Sequence, residues 1–225
     1  MTEKLHILAL GYVNAYLLEN EGSFILIDTG VPSRYTELRE LLIRFGCRPG
    51  LLKLIILTHG DPDHAGGSAQ LRREYDAPIA IHAGDAAMLE QRFMPLRQAR
   101  TLMMKWIVLL GNLRKPKREA DAYSPDLYLS DGQLLSSFGS DARALHTPGH
   151  TKGSICILTR SGDLIAGDTL LNISRPSGAA LIEDEAELQA SLERLFIMPI
   201  DTVYPGHGKA FSGDDLRKLR EAKKI

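Results

Sequence analysis

Residues 51–67, LLKLIILTHGDPDHAGG, join a nearly continuous apolar run to a short polar segment. Such an apolar run predicts a strand that is buried on both faces, as in a sheet that helices cover on its outer side. The polar segment then places two histidines and two aspartates between His59 and His64, with Pro62 between the acids. Imidazole and carboxylate groups crowded together at a strand end predict a metal-binding loop.

Short apolar runs alternate with turn signals on both sides of this stretch. KLHILAL, NAYLLEN and SFILIDTG predict strands, and PSRYTELRELLIRFG predicts a helix because its apolar residues recur at i, i+3 and i+4. Two more helices are predicted in GSAQLRREYDA and DEAELQASLERLF. Further strands are predicted in PIAIHAG, LYLSDGQLL, ARALHTPGH, SICILTRSGDLIAGD and DTVYPGHG. Strands and strand–helix pairs in both halves predict an α/β protein with two sheets sandwiched between helices.

The composition is that of an ordinary globular protein. A chain of 225 residues predicts one domain, 1–225. With 44% hydrophobic residues, 24% charged residues and a net charge of −1, nothing global favours nucleic acid or a membrane as partner. Cys47 and Cys156 lie in no C-x-x-C pattern, so we expect buried free thiols in a reducing compartment. We expect neither a signal peptide nor a membrane-spanning run, and predict a cytoplasmic protein.

Three more predicted strands end in a polar group beside a glycine. His150 follows ARALHTPG, Asp168 follows DLIAG and His207 follows TVYPG. A loop on a rigid strand end holds a side chain accurately while leaving it open to substrate. With the four polar residues of the first loop, these make seven potential ligands. Seven are too many for one tetrahedral ion and suit two ions that share a carboxylate and a water.

Four segments in order, THGDPDHAGG, TPGHTKGS, IAGDTL and YPGHG, resemble the metal-binding motifs of the metallo-β-lactamase superfamily. FILIDTG, which holds Asp28, resembles the early strand–turn motif of that family. The resemblance implies a four-layer αβ/βα sandwich of two mixed sheets flanked by helices, with the metals in a groove at one edge. It also implies two divalent ions, which in this family are usually zinc, and a bridging hydroxide that attacks a carbonyl or phosphoryl group.

The resemblance also assigns roles by position. It places His59, Asp61 and His150 on the first metal, Asp63, His64 and His207 on the second, and Asp168 between them. Asp63 and Asp168 are then the candidate catalytic carboxylates. Asp28 and Thr58 are expected to orient the ligands from behind.

Asp61 departs from the usual family pattern, H-x-H-x-D-H, because it stands where that pattern has its second histidine. A carboxylate remains a metal ligand, so we expect the site to survive. The added negative charge should weaken the metals as Lewis acids, and should shift preference from zinc towards Mn²⁺ or Fe²⁺. On this argument, Asp61→His keeps the fold and increases the affinity for zinc.

A helical insertion is predicted at about 84–120. Residues 92–118 carry eight basic and no acidic side chains, and RTLMMKWIVLL at its centre predicts a largely apolar helix. Three interpretations stay open. The segment is a structural hairpin beside the groove; or a cap in which Met103 and Trp106 hold an apolar substituent while basic residues attract an acid group; or a homodimer interface or contact with an anionic membrane surface.

The leading hypothesis is a metal-dependent hydrolase that cleaves an ester, thioester, lactone or related bond of a small molecule. A phosphodiesterase is one alternative. Another is a non-haem iron sulfur dioxygenase, or other iron redox enzyme, built on His59, His150 and Asp168. A third is a lipid-surface or scaffold module with a vestigial site. No nucleic-acid partner is expected, because the basic segment lacks interleaved surface aromatics that would stack on bases.

Overall fold

The apolar run before His59 forms a central strand in a six-stranded mixed sheet. The computed structural model describes residues 3–91, 94–95, 97–99 and 122–221. In this sheet the strands lie in the order β1 (Lys4–Leu10), β2 (Val13–Asn20), β3 (Ser23–Ile27), β4 (Leu52–Ile56), β5 (Ile79–Ile81) and β7 (Leu127–Tyr128). The first three strands are antiparallel, and β3, β4, β5 and β7 run parallel.

The second half of the chain forms a five-stranded sheet. Its order is β15 (Phe211–Ser212), β14 (Thr202–Pro205), β10 (Asp163–Gly167), β9 (Ile155–Leu158) and β8 (Arg143–His146). Both β8 and β10 pair antiparallel with β9, and β14 is parallel to β10. The three strands β8, β10 and β14 therefore run in one direction, and their carboxyl ends lie at the same edge of the sheet.

Helices cover the outer face of each sheet. On the first sheet, α1 (Tyr35–Arg44) and α3 (Ser68–Tyr75) bury Leu38, Leu42 and Leu71 against strand residues. On the second sheet, α5 (Glu185–Phe196) and α6 (Gly213–Glu221) do the same. Their buried side chains are Leu188, Leu192, Leu195 and Leu216. Burying such apolar faces is the main favourable term in folding.

The two sheets pack face to face through a third apolar cluster. From the first sheet it contains Ile27, Leu54 and Ile56, and from the second Ile157 and Ile165. Along β4 the side chains alternate, so that Ile55 and Leu57 belong instead to the cluster beneath the helices. This two-sided burial explains the nearly continuous apolar run. The four-layer αβ/βα sandwich predicted from the sequence is confirmed.

The remaining elements are short. They are the helices α2 (Pro62–Ala65) and α4 (Ala86–Glu90), the strand pair β11 (Leu170–Leu171) and β12 (Ser177–Gly178), the strand pair β6 (Gln98–Ala99) and β13 (Leu181–Ile182), and 3-10 turns at Pro32–Arg34, Ala83–Asp85 and Ser136–Phe138.

Besides these short elements, the structure differs from the sequence prediction in one strand and one helix. LYLSDGQLL was predicted as one strand, but β7 ends at Tyr128 and a turn follows, in which Gly132 has a positive φ of 73°. After that turn only an isolated bridge joins Leu134 to Arg143. Helix α6 was not predicted, because its sequence is dominated by charged residues and only a narrow apolar stripe reaches the core.

Most of the predicted insertion at about 84–120 lies outside the described residues, including Met103, Trp106 and the predicted helix around them. The single-domain prediction for 1–225 therefore stays a prediction. Both cysteines are buried and free, as expected. Among the described residues, no helix has the length and apolar character needed to cross a bilayer.

Candidate metal centre

Four loops that follow strands bring the predicted ligands together. His59 follows β4 of the first sheet, whereas His150, Asp168 and His207 follow β8, β10 and β14 of the second. A backbone hydrogen bond from Ile155 N to Thr58 O, 2.8 Å long, joins the two sheets beside these loops. The candidate site lies where the ends of both sheets meet.

A single turn of helix shapes the first loop. Pro62 opens α2 at a position where a helix needs no N–H donor, and the backbone N–H groups of His64 and Ala65 donate to Asp61 O. His64 is fully buried. Because of this turn, one short segment supplies Asp61 to one group of metal-competent atoms and Asp63 and His64 to a neighbouring group.

All seven predicted ligands lie in one cluster. Within the described residues, three groups have donor atoms all within 4.8 Å of one another: His59, Asp61 and His150; His59, His64 and Asp168; and Asp63, His64 and His207. Asp168 joins the groups, since its Oδ1 lies 3.3 Å from His64 Nε2 and 3.4 Å from His207 Nε2, and its Oδ2 lies 3.9 Å from His150 Nε2.

Each of the four histidines is held from behind through Nδ1. His150 Nδ1 donates to Leu181 O at 2.6 Å, and His207 Nδ1 donates to Tyr12 O at 2.8 Å. His64 Nδ1 lies 2.8 Å from Asp28 Oδ2, and His59 Nδ1 lies 3.0 Å from Thr58 Oγ1. A backbone carbonyl only accepts hydrogen bonds, so in His150 and His207 the hydrogen is on Nδ1. This arrangement leaves Nε2 to face the cluster, as metal-binding histidines require.

Asp28 holds the two histidines of the first sheet, His64 directly and His59 through Thr58. Its buried carboxylate accepts hydrogen bonds from Thr58 N and Thr58 Oγ1, both at 2.8 Å, besides contacting His64. Asp28 has a φ of 62°, a left-handed conformation that is unusual for a residue other than glycine and is enriched at functional sites. Asp28 and Thr58 thus lie behind the imidazoles of His64 and His59, on the side away from the other candidate ligands.

The cluster contains buried atoms that a cation would satisfy. In the described part of the chain, His59 Nε2 and Asp168 Oδ1 are buried without a hydrogen-bond partner. Leaving such a group unpaired costs about 1–3 kcal/mol. Four imidazole nitrogens and three carboxylates suit divalent zinc, manganese or iron. The residues therefore fit the metal ions that the fold implies.

The charges of the cluster shift its pKa values strongly. Burial opposes ionisation of Asp168, but His64 and His207 outweigh it and hold the pKa of this carboxyl well below its usual range. Burial likewise disfavours a charged His207, but Asp168 and Asp63 outweigh it and raise the pKa of this imidazole to about 10. The pKa of His64 is also raised, because Asp28 and Asp168 overcome the effect of its burial.

Three residues of the site were missed by the sequence analysis, and Arg97 is the most informative. It was counted only among the basic residues of 92–118. Its Nη2 donates to Asp61 Oδ1 at 2.6 Å, its Nη1 donates to Asp61 Oδ2, and its Nη1 lies 3.5 Å from His150 Nε2. No signal in the sequence connects Arg97 with Asp61, because 35 residues separate them.

Asp85 is the second of these residues. Its buried carboxylate accepts hydrogen bonds from Gly60 N at 3.0 Å, Gly153 N at 2.7 Å and Thr151 Oγ1 at 2.8 Å. It therefore ties the loop of His59 to the loop of His150. Asp85 lies in the HAGD segment just after β5, so the rule that polar groups at strand ends belong to the site would have found it.

Tyr12 is the third. It lies in the turn between β1 and β2, and its ring stacks parallel to that of His207 with the centroids 5.8 Å apart. It is 64% exposed. An exposed aromatic ring beside a ligand offers a contact surface to an apolar part of a substrate. His82 and His146, which match no ligand motif, stack on each other at 3.8 Å and belong to none of the three donor groups among the described residues.

Known proteins share this fold or are similar to this chain in sequence. A metallo-beta-lactamase family protein from Thermus thermophilus superposes with a TM-score of 0.72 at 27% identity, over 98% of this chain and 78% of that one. The probable metallo-hydrolase YflN of Bacillus subtilis (strain 168) is 27% identical over 95% of this chain and 87% of its own length. An acyl-coenzyme A thioesterase of Bos taurus is 26% identical over 92% of this chain and 76% of its own length.

The sequence profile of the metallo-beta-lactamase superfamily matches residues 8–207. The chain belongs to this superfamily. Several other curated relatives are longer, and the chain spans 58%, 63% and 49% of the lengths of three of them. Membership and the histidine–aspartate cluster together support divalent-metal binding and metal-dependent hydrolysis as the general class of activity.

Proposed function

We propose that this protein is a dinuclear metal hydrolase that cleaves an ester or thioester bond of a small acyl compound. The observation that carries the proposal is the convergence of four supported Nε2 atoms and three carboxylates where the strand ends of the two sheets meet. His59, Asp61 and His150 would hold one ion, and Asp63, His64 and His207 the other, with Asp168 between them. When bound, such a pair lowers the pKa of a coordinated water and polarises the bond that is attacked.

The residues of the chain contribute orientation and charge. Asp63 is the most exposed of the three carboxylates, with 26% of its side chain exposed, so it lies on the side from which substrate enters. Burial opposes its ionisation, but His207 and His64 outweigh it and lower the pKa of the Asp63 carboxyl. An ionised Asp63 accepts a hydrogen bond from the attacking water and orients it. Tyr12, exposed beside His207, offers its ring to the acyl chain.

Zinc is the ion that the family resemblance implies, and the oxygen-rich donor set also suits manganese or iron. A thioester is the first substrate class to test, because a relative over 92% of this chain is named an acyl-coenzyme A thioesterase. The buried free thiols of Cys47 and Cys156 agree with the cytoplasmic location proposed here. Homodimer formation and membrane contact through 92–118 stay predictions.

The test combines elemental analysis of protein purified without added metal with a substrate panel. The panel contains an acyl-coenzyme A, an aryl ester, a lactone and a phosphodiester. We expect two divalent ions per chain and turnover of the thioester or ester. Asp168→Asn should remove most of this activity and at least one ion, whereas His6→Gln, which changes a histidine outside the cluster, should alter neither.

Other results would identify other activities. One iron per chain with oxygen consumption on a persulfide would favour a sulfur dioxygenase. In such an enzyme Asp63, His64 and His207 would not need to bind a metal ion. Turnover of the phosphodiester alone would make the protein a phosphodiesterase. Full activity in Asp168→Asn would contradict a two-metal mechanism.

A further inference from the structure

Asp61 raises a problem of charge in the proposed metal centre. Where the usual family pattern has a neutral histidine, this chain has a buried carboxylate, in a cluster that also contains Asp63 and Asp168. Burying one more negative charge is costly unless a positive group pairs with it. A buried carboxylate at this position therefore needs a cationic partner within reach of its two oxygens.

Arg97 is that partner. The two N–H groups at the end of its guanidinium meet the two carboxylate oxygens of Asp61, the parallel arrangement that is specific to arginine. Asp61 Oδ2 still lies 3.4 Å from His59 Nε2 and 3.3 Å from His150 Nε2. The contact thus fixes the rotation of the carboxylate and directs one oxygen to the point where the two imidazoles meet.

The position of Arg97 argues against a role in binding the acid group of a substrate. Its side chain is 5% exposed, and its Nε lies 3.8 Å from Oε1 of Glu183, whose side chain is also buried. The positive charge therefore lies between two carboxylates of the protein. A residue that captured a substrate anion would need a free donor facing solvent.

We propose that Arg97 is a positioning residue and that the Arg97–Asp61 pair replaces a single neutral histidine in the first metal position. Asp61 lowers the charge of the centre by one unit relative to histidine, and Arg97 restores it. This inference depends on the proposed metal centre. It also changes the expected effect of Asp61→His, which leaves the Arg97 charge buried beside a cation without its main partner.

The test is a double-mutant cycle read out as zinc affinity, measured on metal-free protein by calorimetry and by competition with a chromogenic chelator. The proteins are the wild type, Arg97→Gln, Asp61→His and the double variant. We expect Asp61→His to weaken zinc binding by about tenfold or more, since an unpaired buried charge is strongly unfavourable. In the double variant, Arg97→Gln should restore the zinc affinity that Asp61→His removes. In the wild-type background, Arg97→Gln should not raise the zinc affinity by a comparable factor.

Two further variants keep the result interpretable. Arg97→Lys retains the charge but not the paired donors, so in the Asp61 background we expect an affinity between those of the wild type and Arg97→Gln. Arg39→Gln, which breaks an ion pair with Glu74 outside the site, is the matched control and should leave zinc affinity unchanged. Far-ultraviolet circular dichroism and thermal unfolding of the metal-free proteins identify any variant that fails to fold.

The outcomes separate the two proposals. Equal effects of Arg97→Gln in both backgrounds would overturn the pairing of Arg97 with Asp61. Unchanged zinc affinity in Arg97→Gln, with a raised KM for an anionic acyl-coenzyme A but not for a neutral ester, would instead make Arg97 a substrate-binding residue. If the wild type binds no divalent ion, the metal centre itself is refuted. The pair is then tested by the same cycle in unfolding free energy, where additive effects would refute it too.

Discussion

Thr151 Oγ1 donates a hydrogen bond of 2.8 Å to Asp85 Oδ2, and the same oxygen accepts a hydrogen bond from Gly60 N. Gly60 lies between the candidate ligands His59 and Asp61, and Thr151 follows His150. One buried carboxylate thus sets the separation of the two loops that would hold the first metal. The contact joins the loops of both sheets through a side chain that belongs to neither loop.

Asp85→Asn should therefore destabilise the protein and weaken metal binding together. The amide keeps the shape of the carboxylate but loses its charge and presents N–H groups to donors. We expect a loss of about 1.5–3 kcal/mol in the free energy of unfolding, the range for one hydrogen bond to a charged group. Urea denaturation of the metal-free protein measures this loss, with exposed Asp141→Asn as control. Equal stability of the two variants would contradict the role of Asp85.

Asp28→Asn should weaken metal binding with little change in the fold. Asparagine tolerates the left-handed backbone at this position, so the substitution removes the negative charge behind His64 without backbone strain. Loss of such support typically costs about 10- to 100-fold in metal affinity. Chelator competition measures the affinity, and circular dichroism checks the fold. An affinity within about twofold of the wild type would show that His64 needs no charged acceptor at Nδ1.

Metal binding should release protons at neutral pH. The pKa of His207 is raised to about 10 by Asp168 and Asp63, so its Nε2 is protonated in the metal-free protein, and a cation must displace that proton. Apparent affinity should accordingly rise with pH and level off near pH 10. Calorimetric titration at pH 7 in buffers of different ionisation enthalpy counts the released protons.

The control for this experiment is His6→Gln, whose imidazole lies outside the cluster and should leave the proton count unchanged. A binding enthalpy that is the same in every buffer would mean that no proton leaves. The structural account of the charges around His207 would then be wrong.

Much of the fold and most of the candidate site could be predicted because the relevant signals are local. A run that is apolar on every face predicts a strand buried on both sides, and β4 is buried in that way between helices and the second sheet. Likewise, each of the four loops with candidate ligands begins at a strand end. In each loop a glycine and a histidine or aspartate lie next to each other in the sequence, so the pattern is visible locally. Helix α6 was missed because a charged sequence with one narrow apolar stripe gives a weak local signal.

The residues that complete the site gave no such signal. Asp85 is recognised only when the loops that donate to it are seen together. Arg97 is the clearer case, because its sequence context is a basic segment that suggested attraction of substrate acids. In the structure its charge is directed inward to Asp61, so we expect Asp61→His to weaken zinc binding rather than to increase it.

The sequence by itself determined the two-sheet architecture, the seven candidate ligands and their likeness to one superfamily. Hydrophobic periodicity and the order of the motifs are local properties of the sequence and can be read without the structure. Tertiary structure alone decided which oxygen of Asp61 faces the histidines and which cation balances its charge. The reason is physical: electrostatic energy depends on distances between groups far apart in the chain, and these distances exist only once the sheets have packed.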